Sequence, residues 1–261
     1  MTVPRLVGMV HLDALPGAPG FGGDLAAVIA SALDDAACLA EAGFGALMVE
    51  NFGDAPFYPD RVPPETVAAM SRVVGEITSR FDLPVGVNVL RNDALAALAV
   101  AAVTGAEIIR VNVLSGIMYT DQGPIRGEAA EVARTRIRLC PEVRIFADVF
   151  VKHAVPPSGL CIDVAAHDLW QRGGADALIV SGSGTGAAVD PAQVRAVRDA
   201  VPDAPLLLGS GVTPDTVATL ADMADGAIVG SWVKVDGDVS NPVDPTRASE
   251  LVAAAREVGW V

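Results

Sequence analysis

The stretch LPVGVNVL, Leu83–Leu90, is short and rich in valine. Its length and β-branched content are typical of a strand that is buried on both faces. Seven runs of the same kind recur along the chain, at residues 5–12, 45–51, 108–114, 144–151, 177–182, 205–211 and 226–232. We therefore predict eight buried strands, and the segments between them should carry the helices.

Several of these intervening segments have clear helix boundaries. Asp190-Pro191, Thr213-Pro214 and Asp244-Pro245 each combine an N-cap residue with proline at the first helical position, while Gly43 and Gly105 stand where a helix C-terminus requires a left-handed residue. Eight strand–helix units in roughly 250 residues predict an α/β fold, a (β/α)8 or TIM barrel, with residues 1–261 as a single domain. A doubly wound sheet is the rival, but it more often has fewer strands, and no G-x-G-x-x-G follows the first run.

Composition excludes several classes of protein. The formal net charge is −14 at pH 7, whereas binding to nucleic acid depends on clustered lysine and arginine, so we expect no nucleic-acid partner. The longest apolar stretch, Ala94–Val103, is about half of the roughly twenty residues that a membrane span requires. The residues up to Asp13 lack the long apolar region of a secretory signal. We therefore expect a cytoplasmic protein with no integral membrane segment.

The three cysteines, Cys38, Cys140 and Cys161, lie far apart in the chain. They have no C-x-x-C spacing that would indicate a zinc site or a redox pair. We interpret them as buried thiols.

Alternation of side chains along the strands predicts a polar cluster at one end of the barrel. Residues two apart on a strand share a face, so the outward valines of Leu83–Leu90 turn Gly86 and Asn88 toward the barrel axis. The same parity brings in polar residues near the C-terminal ends of other strands, namely Glu50, Arg110, Asn112, Asp148 and Lys152, and it pairs His11 with Asp13. Each residue alone has a structural alternative, as a core ion pair or a hydrogen-bonded amide. As a group they fall where barrel enzymes place their active sites.

These residues are assigned candidate roles. The candidates for catalysis are Lys152, Asp148, Glu50, His11 and His153. The candidates for substrate binding are Asn88, Arg110, Asn112 and Asp13. Glu50, Asp148 and Asp13 also offer oxygens suited to Mg²⁺, and His11 offers a nitrogen to a transition metal, but no fixed ligand spacing is present. We therefore assign no metal ligand, expect no organic cofactor and leave a divalent metal open.

Lys152 raises a choice between two roles, because the chain has sixteen arginines and only two lysines. Lysine, unlike arginine, can lose its proton when buried. A desolvated Lys152 would form a Schiff base with a carbonyl substrate. Pairing with Asp148 would instead keep Lys152 charged, as an electrostatic clamp for developing negative charge. We favour the clamp.

Glycine-rich segments follow the last three predicted strands: SGSGTG (Ser181–Gly186), GSGVTPD (Gly209–Asp215) and VGSW (Val229–Trp232). Unhindered backbone N–H groups and a helix N-terminus at Thr213 favour an anion. Barrels commonly bind phosphate after strands seven and eight. We predict phosphate binding at Gly182, Gly184, Thr185, Gly209, Ser210, Gly211, Gly230 and Ser231. Tight turns are the structural alternative.

Two longer loops, Phe52–Pro64 and Ser115–Gly127, contain both tyrosines, Tyr58 and Tyr119. These loops have two alternative roles: they form a lid that excludes water from the site, or they pack against a neighbouring subunit. We expect a homo-oligomer.

Six motifs resemble the BtpA family: MVHLDALPGAPG, VENFGDAPF, GVNVLRND, RVNVLSGIMYTDQGPIRG, ADVFVKHA and LIVSGSGTG. The resemblance runs from Met9 to about Ser231. It implies a barrel related to phosphate-binding enzymes, and some members of the family carry a nucleosidase label. The family is named for a factor needed for photosystem I accumulation in cyanobacteria, but its members also occur outside photosynthetic organisms.

Two hypotheses of function follow. In the first, the protein is an enzyme that binds a small phosphorylated molecule, a sugar phosphate or nucleoside derivative, for lyase, isomerase or nucleosidase-type chemistry. In the second, it is a non-catalytic assembly or regulatory factor of the photosystem I biogenesis type. The second hypothesis predicts an exposed apolar patch that a partner covers, and a pocket in which charged side chains are not required.

Overall fold

Eight parallel strands close into a barrel in the described residues, 3–261, of the computed structural model. Met1 and Thr2, which begin both the predicted domain and the stretch examined for a signal sequence, lie outside these residues. The barrel strands are β1 (Leu6–His11), β2 (Ala46–Glu50), β3 (Val85–Asn88), β4 (Ile108–Val111), β7 (Arg144–Asp148), β9 (Ala177–Ser181), β10 (Leu206–Gly209) and β11 (Gly226–Val229). Three shorter strands are β5 (Ile117–Thr120), β6 (Gly123–Arg126) and β8 (Ala154–Val155). The barrel order is β1-β11-β10-β9-β7-β4-β3-β2, so the predicted TIM-barrel fold is confirmed.

A helix follows each barrel strand. The helices are α1 (Leu25–Ala42), α2 (Pro64–Arg80), α3 (Ala94–Thr104), α4 (Ala129–Leu139), α5 (Ile162–Asp168), α6 (Pro191–Ala200), α7 (Pro214–Leu220) and α8 (Pro245–Glu257). Asp190, Thr213 and Asp244 accept hydrogen bonds from the first turns of α6, α7 and α8, as the dipeptide patterns predict. Gly43 and Gly105 have φ values of 103° and 78° at the C-termini of α1 and α3. The helix signals in the sequence therefore mark real boundaries.

The barrel interior is an apolar plug. Its buried side chains are Val7, Met9, Ala46, Met48, Ile108, Phe146, Ala177, Ile179, Leu207 and Ile228. Gly86 leaves room for the Met48 thioether, because a Cβ atom at Gly86 would lie 2.5 Å from Met48 Cε. Val85, Val87 and Val89 belong instead to the larger core between the strands and the helices. Because the plug closes the lower barrel, polar groups that face inward can open to a ligand only at the C-terminal mouth.

The segment after β4 forms a small second sheet that sequence reasoning missed. Strands β5 and β6 form an antiparallel hairpin, and β8 pairs with β5 through Tyr119↔Val155 and Thr120↔Ala154. Strand β8 begins two residues after Lys152. The hairpin therefore ties one of the two predicted lid loops to the lysine turn.

The structure bears on the expectations about the cysteines and about a membrane segment. The interpretation of all three cysteines as buried thiols is wrong: Cys161 is exposed beside α5, and Cys38 and Cys140 are half-buried. None of the helices within residues 3–261 is both long enough and apolar enough to cross a membrane.

The second lysine, Lys234, lies in a buried ion pair outside the barrel. It is 1% exposed, and its ammonium contacts the Asp35 carboxylate on α1. The other Asp35 oxygen accepts the Val243 N–H at 2.7 Å. The pair therefore ties the segment after β11 to α1, and it occupies the only other lysine amine in the chain.

We predict that Asp35→Ala lowers the free energy of unfolding by about 3–5 kcal/mol, because it leaves the Lys234 ammonium buried without a partner. The exposed pair of Arg72 and Glu76, 3.6 Å apart, is the control, and Arg72→Ala should cost about 0.5 kcal/mol or less. Urea denaturation measures both values. Equal losses in the two variants would contradict the assignment of Lys234 to the core.

Candidate active site

Polar residues from neighbouring strands meet at the C-terminal mouth of the barrel. In the strand register, His11 lies opposite Glu50, and Glu50 lies opposite Asn88. Arg110, Asn112 and Asp148 complete a buried polar layer above the apolar plug. Asp13 is the exception, because it is exposed in the loop after β1. The structure thus brings together the predicted cluster without Asp13.

Asp148 is held by four hydrogen bonds. Arg110 Nε and Nη2 each donate to the carboxylate at 2.9 Å, Ser181 Oγ donates at 2.8 Å, and Asn112 Nδ2 donates at 3.2 Å. Asn88 Nδ2 in turn donates to Asn112 Oδ1 at 3.1 Å. With its oxygens occupied in this way, Asp148 is suited to fix the layer and is a poor candidate for a catalytic acid or base.

Lys152 does not pair with Asp148, so the premise of the favoured clamp is wrong. The Arg110 guanidinium occupies the carboxylate, and among residues 3–261 the Lys152 amine makes neither an ion pair nor a hydrogen bond. Burial lowers the pKa of Lys152; Glu50 and Asp148 oppose this shift, and Arg110 and Arg91 add to it. At a given pH the neutral amine is therefore more populated at Lys152 than in a free lysine.

Three buried polar atoms in this layer have no hydrogen-bond partner within the described residues: His11 Nδ1, Glu50 Oε1 and Asn88 Oδ1. His11 Nε2 lies 3.8 Å from Glu50 Oε1, and the His11 ring packs edge-on against Phe52. Because Asn88 uses its Nδ2 as a donor, its free oxygen is an acceptor, as is the Glu50 oxygen. Such atoms are suited to receive hydroxyl groups from a ligand, since an unpartnered buried acceptor is costly.

Burial places the pKa of His11 well below the usual histidine value, and the charges of Lys234, Lys152 and Arg110 lower it further. His11 is therefore a neutral imidazole at neutral pH. Gly230 packs directly against this ring, because a Cβ atom at Gly230 would lie 2.8 Å from His11 Cε1. The glycine at the end of β11 thus makes room for the histidine.

A cavity of about 350 Å³ opens beside Lys152. It is lined by Glu50, Phe52, Phe57, Leu90, Arg91, Asp121, Gln122, Lys152, His153 and Thr185. Both predicted lid loops contribute to its wall, while Tyr58 and Tyr119 in the same loops are exposed. Arg91 is the main residue of this cavity that sequence reasoning did not single out, because it follows β3 in what reads as a turn.

His153 is better described as a positioning residue than as a base. Its Nε2 atom lies 3.0 Å from Thr185 Oγ1 and accepts the Thr185 N–H at 3.2 Å. Burial lowers the pKa of His153, and Lys152 and Arg91 lower it further. The neutral imidazole therefore holds the loop after β9 against the lysine turn.

The glycine-rich segments border a second cavity of about 520 Å³. Of the eight predicted phosphate residues, Thr185, Gly211 and Ser231 line it, together with Gly186, Thr213 and Arg247. The others have structural tasks. Gly182 donates its N–H to Ser210 Oγ at 3.1 Å, Gly209 packs on Ile179, and Gly184 packs on His153. The Thr213 N–H is also committed, because it donates to Thr216 Oγ1 in a capping box.

Thr185 borders both cavities, so the two spaces are neighbours. Arg247 lies in the first turn of α8, and two exposed carboxylates, Asp236 and Asp238, face the same glycine-lined cavity. Within residues 3–261, no three His, Cys, Asp or Glu side chains come together in a group that could hold a metal ion.

The neutral state of His11 predicts a pH dependence of stability. An unfolded histidine has a pKa of about 6.5, so below that pH the unfolded chain takes up a proton before the folded protein does. Stability present above pH 6.5 is therefore lost as the pH falls toward the lowered folded value, at up to about 1.4 kcal/mol per pH unit. His11→Gln should flatten this loss, and exposed His167→Gln is the matched control. Urea denaturation at several pH values tests this, and identical slopes in wild type and His11→Gln would contradict it.

Comparisons with known proteins identify relatives of this chain along almost its whole length. The protein TK2179 of Thermococcus kodakarensis is 49% identical over 253 residues, which cover 97% of this chain and 95% of that protein. The photosystem I biogenesis protein BtpA of Synechocystis is 43% identical over 252 residues, which cover 97% of this chain and 88% of that protein.

Among solved structures, the N-(5′-phosphoribosyl)anthranilate isomerase of Pyrococcus furiosus is similar with a TM-score of 0.60. The likeness covers 97% of this chain and 99% of that one, at 15% identity, so it concerns the fold alone. The model of the BtpA family matches residues 2–257. The chain therefore belongs to the BtpA family.

Proposed function

We propose that this protein is an enzyme acting on a small phosphorylated carbonyl compound, with the Lys152 amine as the reactive group. The observation that carries the proposal is the unpaired, desolvated lysine in a cavity at the C-terminal mouth of the barrel. A neutral amine adds to a carbonyl carbon, and loss of water then gives an imine. Of the two ligand classes considered, a sugar phosphate fits better, since it has a carbonyl in its open-chain form.

Neighbouring groups support this chemistry. Glu50 lies in the same cavity as Lys152, where a carboxylate is placed to carry protons to and from the carbonyl oxygen. The free acceptor on Glu50, which lines the cavity, suits a hydroxyl group of a sugar. The structural neighbour is named as acting on a phosphoribosyl compound, in keeping with a phosphorylated ligand.

The phosphate end belongs in the glycine-lined cavity. Gly186 and Gly211 bring backbone close to this space without side chains, Ser231 adds a hydroxyl, and Arg247 adds a positive charge. Because Thr185 borders both cavities, one molecule can have its phosphate there and its carbonyl beside Lys152. Asp236 opposes a dianion, so its removal offers a test of the assignment.

The non-catalytic alternative has one observation in its favour. Tyr119 and Val155 are cross-strand neighbours in the small sheet and are 51% and 66% exposed, which is the kind of apolar surface a partner would cover. The same hypothesis gives no reason for an unpaired lysine and three unpartnered polar atoms in the mouth. We therefore favour the enzyme.

Borohydride reduction tests the amine. With glyceraldehyde 3-phosphate, wild-type protein should gain an irreversible adduct that peptide mapping places on Lys152, and Lys152→Arg should gain none there. Because burial lowers the pKa of Lys152, labelling should rise with pH and level off below the usual lysine value of about 10.4. Labelling confined to Lys234 or the chain N-terminus would refute the role of Lys152.

Thermal shift tests the phosphate site. A ligand at about one hundred times its Kd stabilises the folded protein by about 2.7 kcal/mol, a shift of several degrees. Ser231→Asp should abolish the shift given by sugar phosphates, because it adds a carboxylate to the cavity, whereas Ser231→Ala should keep most of it. Asp236→Asn should enlarge the shift. If no phosphorylated compound shifts the wild type, or if Ser231→Asp responds as the wild type does, the phosphate does not bind in this cavity.

A further inference from the structure

Arg91 is a buried cation that no part of the proposed chemistry uses. It is 4% exposed, yet it lines the cavity that contains Lys152 and Glu50. Among residues 3–261, no carboxylate forms an ion pair with it, and its side chain makes one hydrogen bond, from Nη2 to the backbone oxygen of Lys152 at 2.6 Å. A guanidinium has five N–H donors, so most of its donor capacity is unused.

The backbone around Arg91 is anchored on both sides. Leu90 N–H donates to Asn51 Oδ1 at 2.7 Å, and the Arg91 N–H donates to the backbone carbonyl oxygen of Tyr58 at 3.0 Å. Asn92 forms two hydrogen bonds with the Val113 backbone, at 2.8 and 3.0 Å. The backbone that carries Arg91 is therefore held in place, and the hydrogen bond from Nη2 to the Lys152 oxygen restrains the guanidinium itself, which lowers the cost of ordering it for a ligand.

The charges around Arg91 favour a small monoanion. Burial lowers the pKa of Arg91, Asp148, Glu50 and Asp121 raise it, and Arg110 lowers it. Asp148 is committed to Arg110, which leaves Glu50 and Asp121 as the carboxylates that line the cavity with Arg91. A phosphate dianion would bring two charges toward these groups, whereas a carboxylate brings one. The planar fork of a guanidinium also matches a carboxylate in bidentate geometry.

We propose that Arg91 binds a carboxylate that the substrate carries next to its carbonyl group, so that the substrate class is a 2-oxo acid. The hydrogen bond from Arg91 to the Lys152 backbone holds the anion site beside the residue that bears the amine. This inference rests on the proposed amine chemistry for the carbonyl. It adds a second acidic group to the ligand, separate from the phosphate in the glycine-lined cavity.

The test compares pyruvate with acetone in borohydride labelling of Lys152, since the two ketones differ only in the carboxylate. Arg91→Gln should raise the concentration of pyruvate for half-maximal labelling by about tenfold or more, the size expected for loss of a charge-assisted pair. It should affect acetone labelling much less, through the rise in the pKa of Lys152 that loss of the Arg91 charge brings to both ketones, because acetone has no group for Arg91. Arg138→Gln, at an exposed position on α4, is the matched control and should alter neither ketone. Equal effects of Arg91→Gln on both ketones would overturn the proposal.

Two measurements need no variant, in case Arg91→Gln folds poorly. Lactate should protect wild-type Lys152 from labelling by pyruvate, and 2-propanol, which lacks the carboxylate, should not. Pyruvate should also label at lower concentration than acetylphosphonate, its analogue with a larger dianionic group. Protection by 2-propanol, or preference for the phosphonate, would overturn the assignment of a carboxylate.

Failure of the amine chemistry can be told apart from failure of the Arg91 site. If no carbonyl compound labels Lys152, calorimetry with lactate decides the second question by itself. If wild-type protein binds lactate, and Arg91→Gln or Arg91→Lys weakens that binding, the carboxylate site is supported even without an imine. Absence of lactate binding in the wild type would overturn it.

Discussion

The bidentate ion pair between Arg110 and Asp148 decides the electrostatics of the barrel mouth. Two 2.9 Å hydrogen bonds from Arg110, with the further donors Ser181 and Asn112, occupy the oxygens of Asp148. Lys152 lies four residues further along and loses its nearest carboxylate in sequence to this pair. Because Arg110 stays protonated, it also opposes a second positive charge on Lys152. The structural pair therefore contributes to the lowered pKa of Lys152, of which burial is the largest cause.

The two lysines of the chain illustrate how environment separates one residue type into two roles. Lys234 lies against Asp35, with a second hydrogen bond from Val243 holding that carboxylate in place. Lys152 is partly exposed, faces two arginines as well as two carboxylates, and has no direct partner among the described residues. Burial with a partner stabilises the charged form, and burial without one favours the neutral form. The two lysines thus differ in their neighbours as well as in exposure, since Lys234 is 1% exposed and Lys152 is partly exposed.

The sequence was sufficient for the barrel because two periodic signals agree. Alternation along Leu83–Leu90 predicts which side chains face inward, and the cap residues predict where helices begin. Parity assigns a residue to a face but not to a partner across strands, so the competition of Arg110 and Lys152 for Asp148 could not be foreseen. Glycine composition has a similar limit: Gly230 makes room for His11, whereas Gly211 borders a cavity. Arg91 lies beyond its strand, where the alternation rule no longer applies.

The energetics of the mouth bear on the choice between enzyme and scaffold. Three buried atoms of the polar layer lack hydrogen-bond partners among residues 3–261, and two cations, the buried Arg91 and the partly exposed Lys152, have no ion-pair partner there. Each unpartnered polar group costs on the order of 1–3 kcal/mol, against a total stability of about 5–15 kcal/mol for a folded domain. In a non-catalytic scaffold this loss of stability would bring no benefit, since apolar residues of similar size would fill the same space. In a binding site the ligand supplies the missing hydrogen-bond and charge partners. The groups that lower the stability of the free protein then contribute to its affinity for that ligand.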